Sequence, residues 1–205
     1  MLEGRKILLI SNDVSSLVMD TLRRAAEENA AVACFYFDIA AEEEQSPAAV
    51  LSSLLKQVVA GLEEVPERIS RAFRDREKAS GCQRLPLSEI VGFLQDISSS
   101  RCTFICIDAL DECPSRHRLE LLDLLNQLLQ KSPSTRLFMT GRPDILGEVE
   151  GHLGGRAATR SITPIKNDIT TFLRAKLKTG IVPDAMSESL EEEIIRNIPE
   201  AVPEM

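Results

Sequence analysis

Apolar residues fall along this chain in two rhythms. Lys6-Ile7-Leu8-Leu9-Ile10, Val32-Ala33-Cys34-Phe35-Tyr36-Phe37, Cys102-Thr103-Phe104-Ile105-Cys106-Ile107 and Arg136-Leu137-Phe138-Met139-Thr140 are short runs with few interruptions. That is the pattern of strands covered on both faces. Between them the apolar positions recur every three or four residues, as on one face of a helix. Val14, Leu17, Val18, Leu22 and Ala25 form one such stripe, and Val50, Leu51, Leu54, Leu55, Val58 and Val59 another. Ser46-Pro47 opens the second: serine caps, and proline occupies a first-turn site where its missing N–H costs nothing. Leu87 to Ile97, Ser115 to Gln130, Asn167 to Lys178 and Ser187 to Ile198 read as further helices. Residues 62–85 read as a partly exposed helix and a loop, Glu42-Glu43-Glu44 as a solvated acidic loop, and Gly151 to Gly155 as a helix stop and loop. Thr159 to Thr163 is a candidate fifth strand.

Strands alternating with helices predict a three-layer α/β domain around a mostly parallel sheet. A composition shift near residue 165 divides an α/β core, residues 1–165, from the start of a small helical unit, residues 166–205. The composition is globular, with 43% hydrophobic and 27% charged residues in 205. Net charge is -8, a poor match for nucleic acid or an anionic membrane. No apolar run approaches the roughly 20 residues of a membrane span, and Ile7 to Ile10 is too short for a secretory core. Five cysteines, an odd number, several in or beside apolar runs, fit a reduced, cytoplasmic protein. Their spacing does not suit zinc.

In open α/β sheets ligands collect at the carboxyl ends of the strands. The run Phe104-Ile105-Cys106-Ile107 leads into Asp108, with Asp111 and Glu112 just beyond. An acid at the tip of a central strand can hold Mg²⁺ beside a nucleotide's phosphates, and acids after it can orient or deprotonate water. Solvated loop acids are the plain alternative for any one of them. Leu137 to Pro143 places Arg142 at the tip of the neighbouring strand, where a guanidinium can reach a γ-phosphate.

The stretch Ile105-Cys106-Ile107-Asp108-Ala109-Leu110-Asp111-Glu112-Cys113-Pro114 resembles the Walker B signature of the NACHT family of signal-transduction NTPases, in its fungal, nephrocystin-3-like branch of NOD-like-receptor proteins. Leu137 to Pro143 resembles that branch's sensor strand. Val32 to Asp38, Leu51 to Gln57 and Asp168 to Leu177 resemble its intervening segments. The resemblance implies a P-loop-NTPase-like sheet flanked by helices, with ATP and Mg²⁺ as ligands. It implies Asp108 as the Mg²⁺ ligand, Asp111 and Glu112 as the catalytic acids near the hydrolytic water, and Arg142 as the nucleotide sensor. The family joins this module to an effector domain and to ankyrin, WD40 or TPR repeats.

The family also has a phosphate loop, G-x-x-x-x-G-K-[S/T], after its first strand. Here the connection is Ser11-Asn12-Asp13, with no glycine or lysine and with an acid where phosphate would sit. Three readings stand: a nucleotide-switch domain with impaired ATP binding, a non-catalytic protein-interaction module on the same scaffold, or an active ATPase with an atypical phosphate grip. The family pattern continues past both ends, so the chain reads as truncated. Leu190, Ile194, Ile195 and Ile198 form an apolar stripe close to the last residue, which points to self-association or a protein partner.

Overall fold

A computed structural model describes residues 30–80, 85–156, 158–160, 166–179 and 188–201. The expected strand Lys6–Ile10, the helix Val14–Ala25 and the connection Ser11–Asp13 lie outside them. Contacts divide the chain into two compact units, Met1–Ser161 and Ile162–Met205.

In the first unit, among the described residues, three parallel strands lie in the order β1 (Ala30–Tyr36), β2 (Cys102–Asp108) and β3 (Thr135–Met139). Cys34 pairs with Cys106, Tyr36 with Asp108 and Ile107 with Met139, so all three strands end at one rim. The β1–β2 crossover carries α1 (Pro47–Ala60), α2 (Glu67–Ser80) and α3 (Leu87–Ser100). The β2–β3 crossover carries α4 (Ser115–Lys131), and α5 (Leu146–Leu153) follows β3. Parallel strands require such crossovers.

Strand alternation puts Ala31, Ala33, Ile105, Ile107, Leu137 and Met139 on one face, all buried. They form one cluster with Val50, Leu51, Leu54 and Leu55 of α1, Ile90 and Leu94 of α3, and Leu121, Leu122 and Leu125 of α4. These are the apolar stripes read from the sequence. Cys106, on the opposite face, is also buried; burial first, and the Asp108 charge second, push its thiol up to about 12. Among the described residues, Cys34, Cys102, Cys106 and Cys113 form no disulfide.

Ser46 caps α1, its hydroxyl accepting from the Ala49 N–H at 3.4 Å. On the same helix, the Gln57 amide donates to the Cys34 carbonyl at 2.7 Å and accepts from the Cys34 N–H at 3.0 Å. One side chain thus satisfies both backbone groups of Cys34, on the side of β1 away from β2, an edge among the described residues.

Three expectations change. Glu42–Glu44 is not an open loop but the end of a 3-10 segment, Ile39–Glu44, kinked at Ala41. Asp38 and Gln45 wind it: the Asp38 carboxylate accepts from the Ala40 N–H at 2.9 Å, and the Gln45 amide bonds both the N–H and the carbonyl of Asp38 at 3.1 Å. Helix α5 runs through Gly151 and stops at Gly154, which takes the left-handed conformation at φ 56°. Burial of Val149 and Leu153 keeps the helix wound past the first glycine. Residues 158–160 carry no strand, and the rest of the candidate fifth strand lies outside the described residues.

In the second unit, α6 (Lys166–Thr179) packs against α7 (Glu188–Ala201). Of the α7 stripe, Leu190 and Ile198 are exposed and Ile194 and Ile195 are half-buried. No helix among the described residues is long and apolar enough to cross a membrane.

Candidate functional site

The rim where the three strands end carries all four residues singled out from the sequence. β2 delivers Asp108, and the chain then turns sharply. Ala109 sits in the left-handed region at φ 53°, ψ 47°, which costs a residue with a Cβ about 1 kcal/mol. A 3-10 turn, Leu110–Glu112, leads on to Cys113 and α4. Neighbouring bonds hold the strained geometry. The Ala109 N–H donates to the Thr140 hydroxyl at 2.9 Å, the Leu110 N–H to the Thr140 carbonyl at 2.9 Å, and the Leu110 side chain is fully buried.

Each acid is held by a segment that follows another strand. The Thr140 hydroxyl, just past β3, donates to Oδ1 of Asp108, whose residue is 8% exposed. Arg142 brings its Nε to 3.2 Å from Oδ2 of Asp111; the Asp111 side chain is 10% exposed and that of Arg142 79%. Glu112 Oε2 accepts from the Ile39 N–H, just past β1, at 3.1 Å. Gly141 allows this approach. A Cβ there would lie 2.8 Å from Ile145 Cδ1 and 3.4 Å from Asp111 Oδ1.

Behind the acids lies a buried arginine that was not singled out from the sequence. Arg118, on the first turns of α4, is 7% exposed. Its fork meets Glu148 of α5 twice, at 2.6 and 3.1 Å. It also donates to the Cys113 carbonyl at 2.8 Å, the Asp111 carbonyl at 3.3 Å and the Ser115 hydroxyl at 3.2 Å. Its hydrogen bonds to Glu148 raise the guanidinium pKa further and hold the Glu148 carboxyl below its usual range. Thr140 also went unrecognised, as the last polar residue of an apolar run. Arg118 did carry a signal: it shares a helical face with Leu121, Leu122 and Leu125.

The rim offers hard oxygen donors and one exposed guanidinium in Arg142. Among the described residues no three carboxylate, imidazole or thiol groups converge into an all-protein metal site. The donor set suits Mg²⁺, which keeps several waters and binds through one or two carboxylates plus phosphate oxygens. A cavity of about 1140 Å³ between α1 and α2 is lined by none of the four rim residues. It does not mark this site.

A sequence model of the family described as Nephrocystin 3, N-terminal matches residues 13–142, from Asp13 to Arg142. The chain belongs to this family. The chain also resembles solved structures. CDC6P from Pyrobaculum aerophilum aligns with a TM-score of 0.52 at 14% identity, over 93% of this chain and 47% of that one. The ORC1 protein of Aeropyrum pernix, solved in complex with DNA, aligns with a TM-score of 0.51 at 16% identity, over 95% and 49%. The chain therefore spans about half the length of each. At these identities the likeness shows the fold, an α/β P-loop-NTPase-like sheet flanked by helices. No curated protein matches this chain.

Proposed function

We propose that this chain is a nucleotide-switch module of the NACHT type whose grip on ATP is weak. The observation that carries the reading is the contact between Arg142 and Asp111 at the carboxyl rim, where open α/β sheets place their ligands. Asp108 would hold Mg²⁺ with water in the remaining positions, its carboxylate oriented by Thr140. Asp111 and Glu112 would orient a water molecule. Arg142 would turn from Asp111 toward a γ-phosphate. When bound, ATP with Mg²⁺ supplies a transferable phosphoryl group; the chain's own residues supply orientation and charge.

The grip is weak because Ser11-Asn12-Asp13 lacks the glycines and lysine of a phosphate loop. Backbone N–H groups and a cation in that loop normally provide the anion site. Titrating the chain calorimetrically with ATP and Mg²⁺ is expected to give a dissociation constant above about 10 μM, or weaker than about -7 kcal/mol. Asp108→Ala is expected to remove whatever Mg²⁺ dependence the binding has. Tighter binding would restore the reading of an active ATPase, and unchanged Mg²⁺ dependence would remove Asp108 from the site.

A second reading has a specific observation in its favour. Asp108, Asp111 and Glu112 each already have a protein partner, as in a site that has become structural. The chain would then be a protein-interaction module, docking on intact relatives or on itself in the cytoplasm. No ATP binding, together with a stable fold and a partner recovered by affinity capture, would select it.

A further inference from the structure

The segment after β3 grips the acid loop at two separate points. From the front, Arg142 reaches the carboxylate of Asp111. From behind, Glu148, six residues further along, holds Arg118 through both its oxygens. Arg118 in turn holds the carbonyls of Asp111 and Cys113. Between these grips, Gly141 lies against the loop: a Cβ there would come within 3.4 Å of Asp111 Oδ1 and 3.5 Å of the Asp111 backbone nitrogen, and within 2.8 Å of the Ile145 side chain on its own segment. Ile145 is itself buried. A guanidinium has five N–H donors in a rigid plane. Here all three nitrogens are engaged, on partners from both segments.

We propose that Arg118 is the positioning residue of the acid loop, joining residues 111–113 to residues 142–148 as one moving part. The consequence is regulatory, and it rests on the functional reading of Asp111 and Arg142 given above. Whatever draws Arg142 outward strains a loop that Arg118 holds to the same segment. A change at the sensor is therefore delivered to Asp111 and, through Glu148, to α5. Arg118 does this without touching a ligand, since its fork is spent on the loop and on Glu148.

The test is amide hydrogen exchange by NMR on the full 205-residue chain, comparing wild type, Arg118→Lys and Arg118→Met. Lysine keeps the charge and a bond to Glu148 but cannot span Glu148 and two carbonyls together. It is expected to leave the Ile145 amide protected while the Glu112 and Cys113 amides exchange at least tenfold faster. Methionine is expected to release all three. The Ser132 and Thr135 amides, at the opposite ends of α4 and β3, serve as unmoved references. Acceleration spread evenly over these references would show a merely structural buried cation and overturn the proposal. So would a lysine variant that matches wild type at Glu112 and Cys113. Should the methionine variant fail to fold, the lysine comparison decides alone. Titrating the same wild-type sample with ATP and Mg²⁺ separates the two ideas. No shifts from Thr140 to Arg142, with the lysine pattern as expected, defeats the nucleotide reading only. Shifts there, with the lysine variant unchanged, defeat this proposal only.

Discussion

Arg118→Met is expected to lower the stability of the protein by about 2–4 kcal/mol. Methionine nearly matches the arginine stem in length and fills much of its volume, so the loss isolates the fork. Two carbonyls on the acid loop lose a donor, and Glu148 loses a bidentate partner. The figure lies below that for a fully buried pair because the Glu148 side chain is 34% exposed and can turn to water. The effect also has a sign in pH. The Arg118 hydrogen bonds hold the Glu148 carboxyl below its ordinary value in the folded state. Its contribution is therefore present above the unfolded value of about 4.3 and is lost as pH falls through the lower folded value. Urea unfolding of wild type and variant should show a wide gap at pH 7 that narrows below about pH 4. A gap of equal size at pH 3 and pH 7 would rule out the ion pair as its source.

Thr140→Val should be nearly as severe, at about 3 kcal/mol. The two side chains have the same shape, so packing is preserved and only the hydroxyl is lost. That hydroxyl donates to the buried Asp108 carboxylate and accepts from the Ala109 N–H. Removing it deprives a carboxylate of a charge-assisted donor and leaves an amide without a partner at the one described non-glycine residue with positive φ. Thr140→Ser keeps the hydroxyl and is expected to lose only about 1 kcal/mol, for a buried methyl. Thermal melts of both variants check the pair. A valine variant within about 0.5 kcal/mol of wild type would mean that the hydroxyl bonds contribute nothing.

What the sequence disclosed, and what it hid, follows from which forces leave a linear trace. A strand covered on both faces is a continuous apolar run, so Phe104 to Ile107 announced β2 and set Asp108 at its tip. Helical stripes such as Leu51, Leu54, Leu55 and Val58 are equally plain, because burial repeats with the turn of the helix. Arg118 left a faint trace. An arginine among leucines looks like a solvated position until its place on the Leu121–Leu122–Leu125 face is noticed, and even then its partner Glu148 lies 30 residues away. Thr140 left less, since a threonine ending a strand is ordinary and its role depends on the register between β2 and β3. The 3-10 winding of Ile39–Glu44 rests on side-chain bonds between Asp38 and Gln45, seven residues apart, a spacing that no periodicity reports.

The Gln57 amide also bears on how such a chain avoids polymerising. An open strand edge is a template on which a second molecule can add its own strand. Among the described residues β1 is an edge strand, and there that template is blocked at Cys34 by a side chain that pairs with both backbone groups a visiting strand would need. The block is carried by a helix and not by the sheet, so it lasts only while α1 stays docked. Growth of aggregates should therefore track the local undocking of α1 and not global unfolding. Gln57→Ala should shorten the lag before light scattering rises at temperatures well below the melting point. An unchanged lag would mean that the edge is guarded by something else.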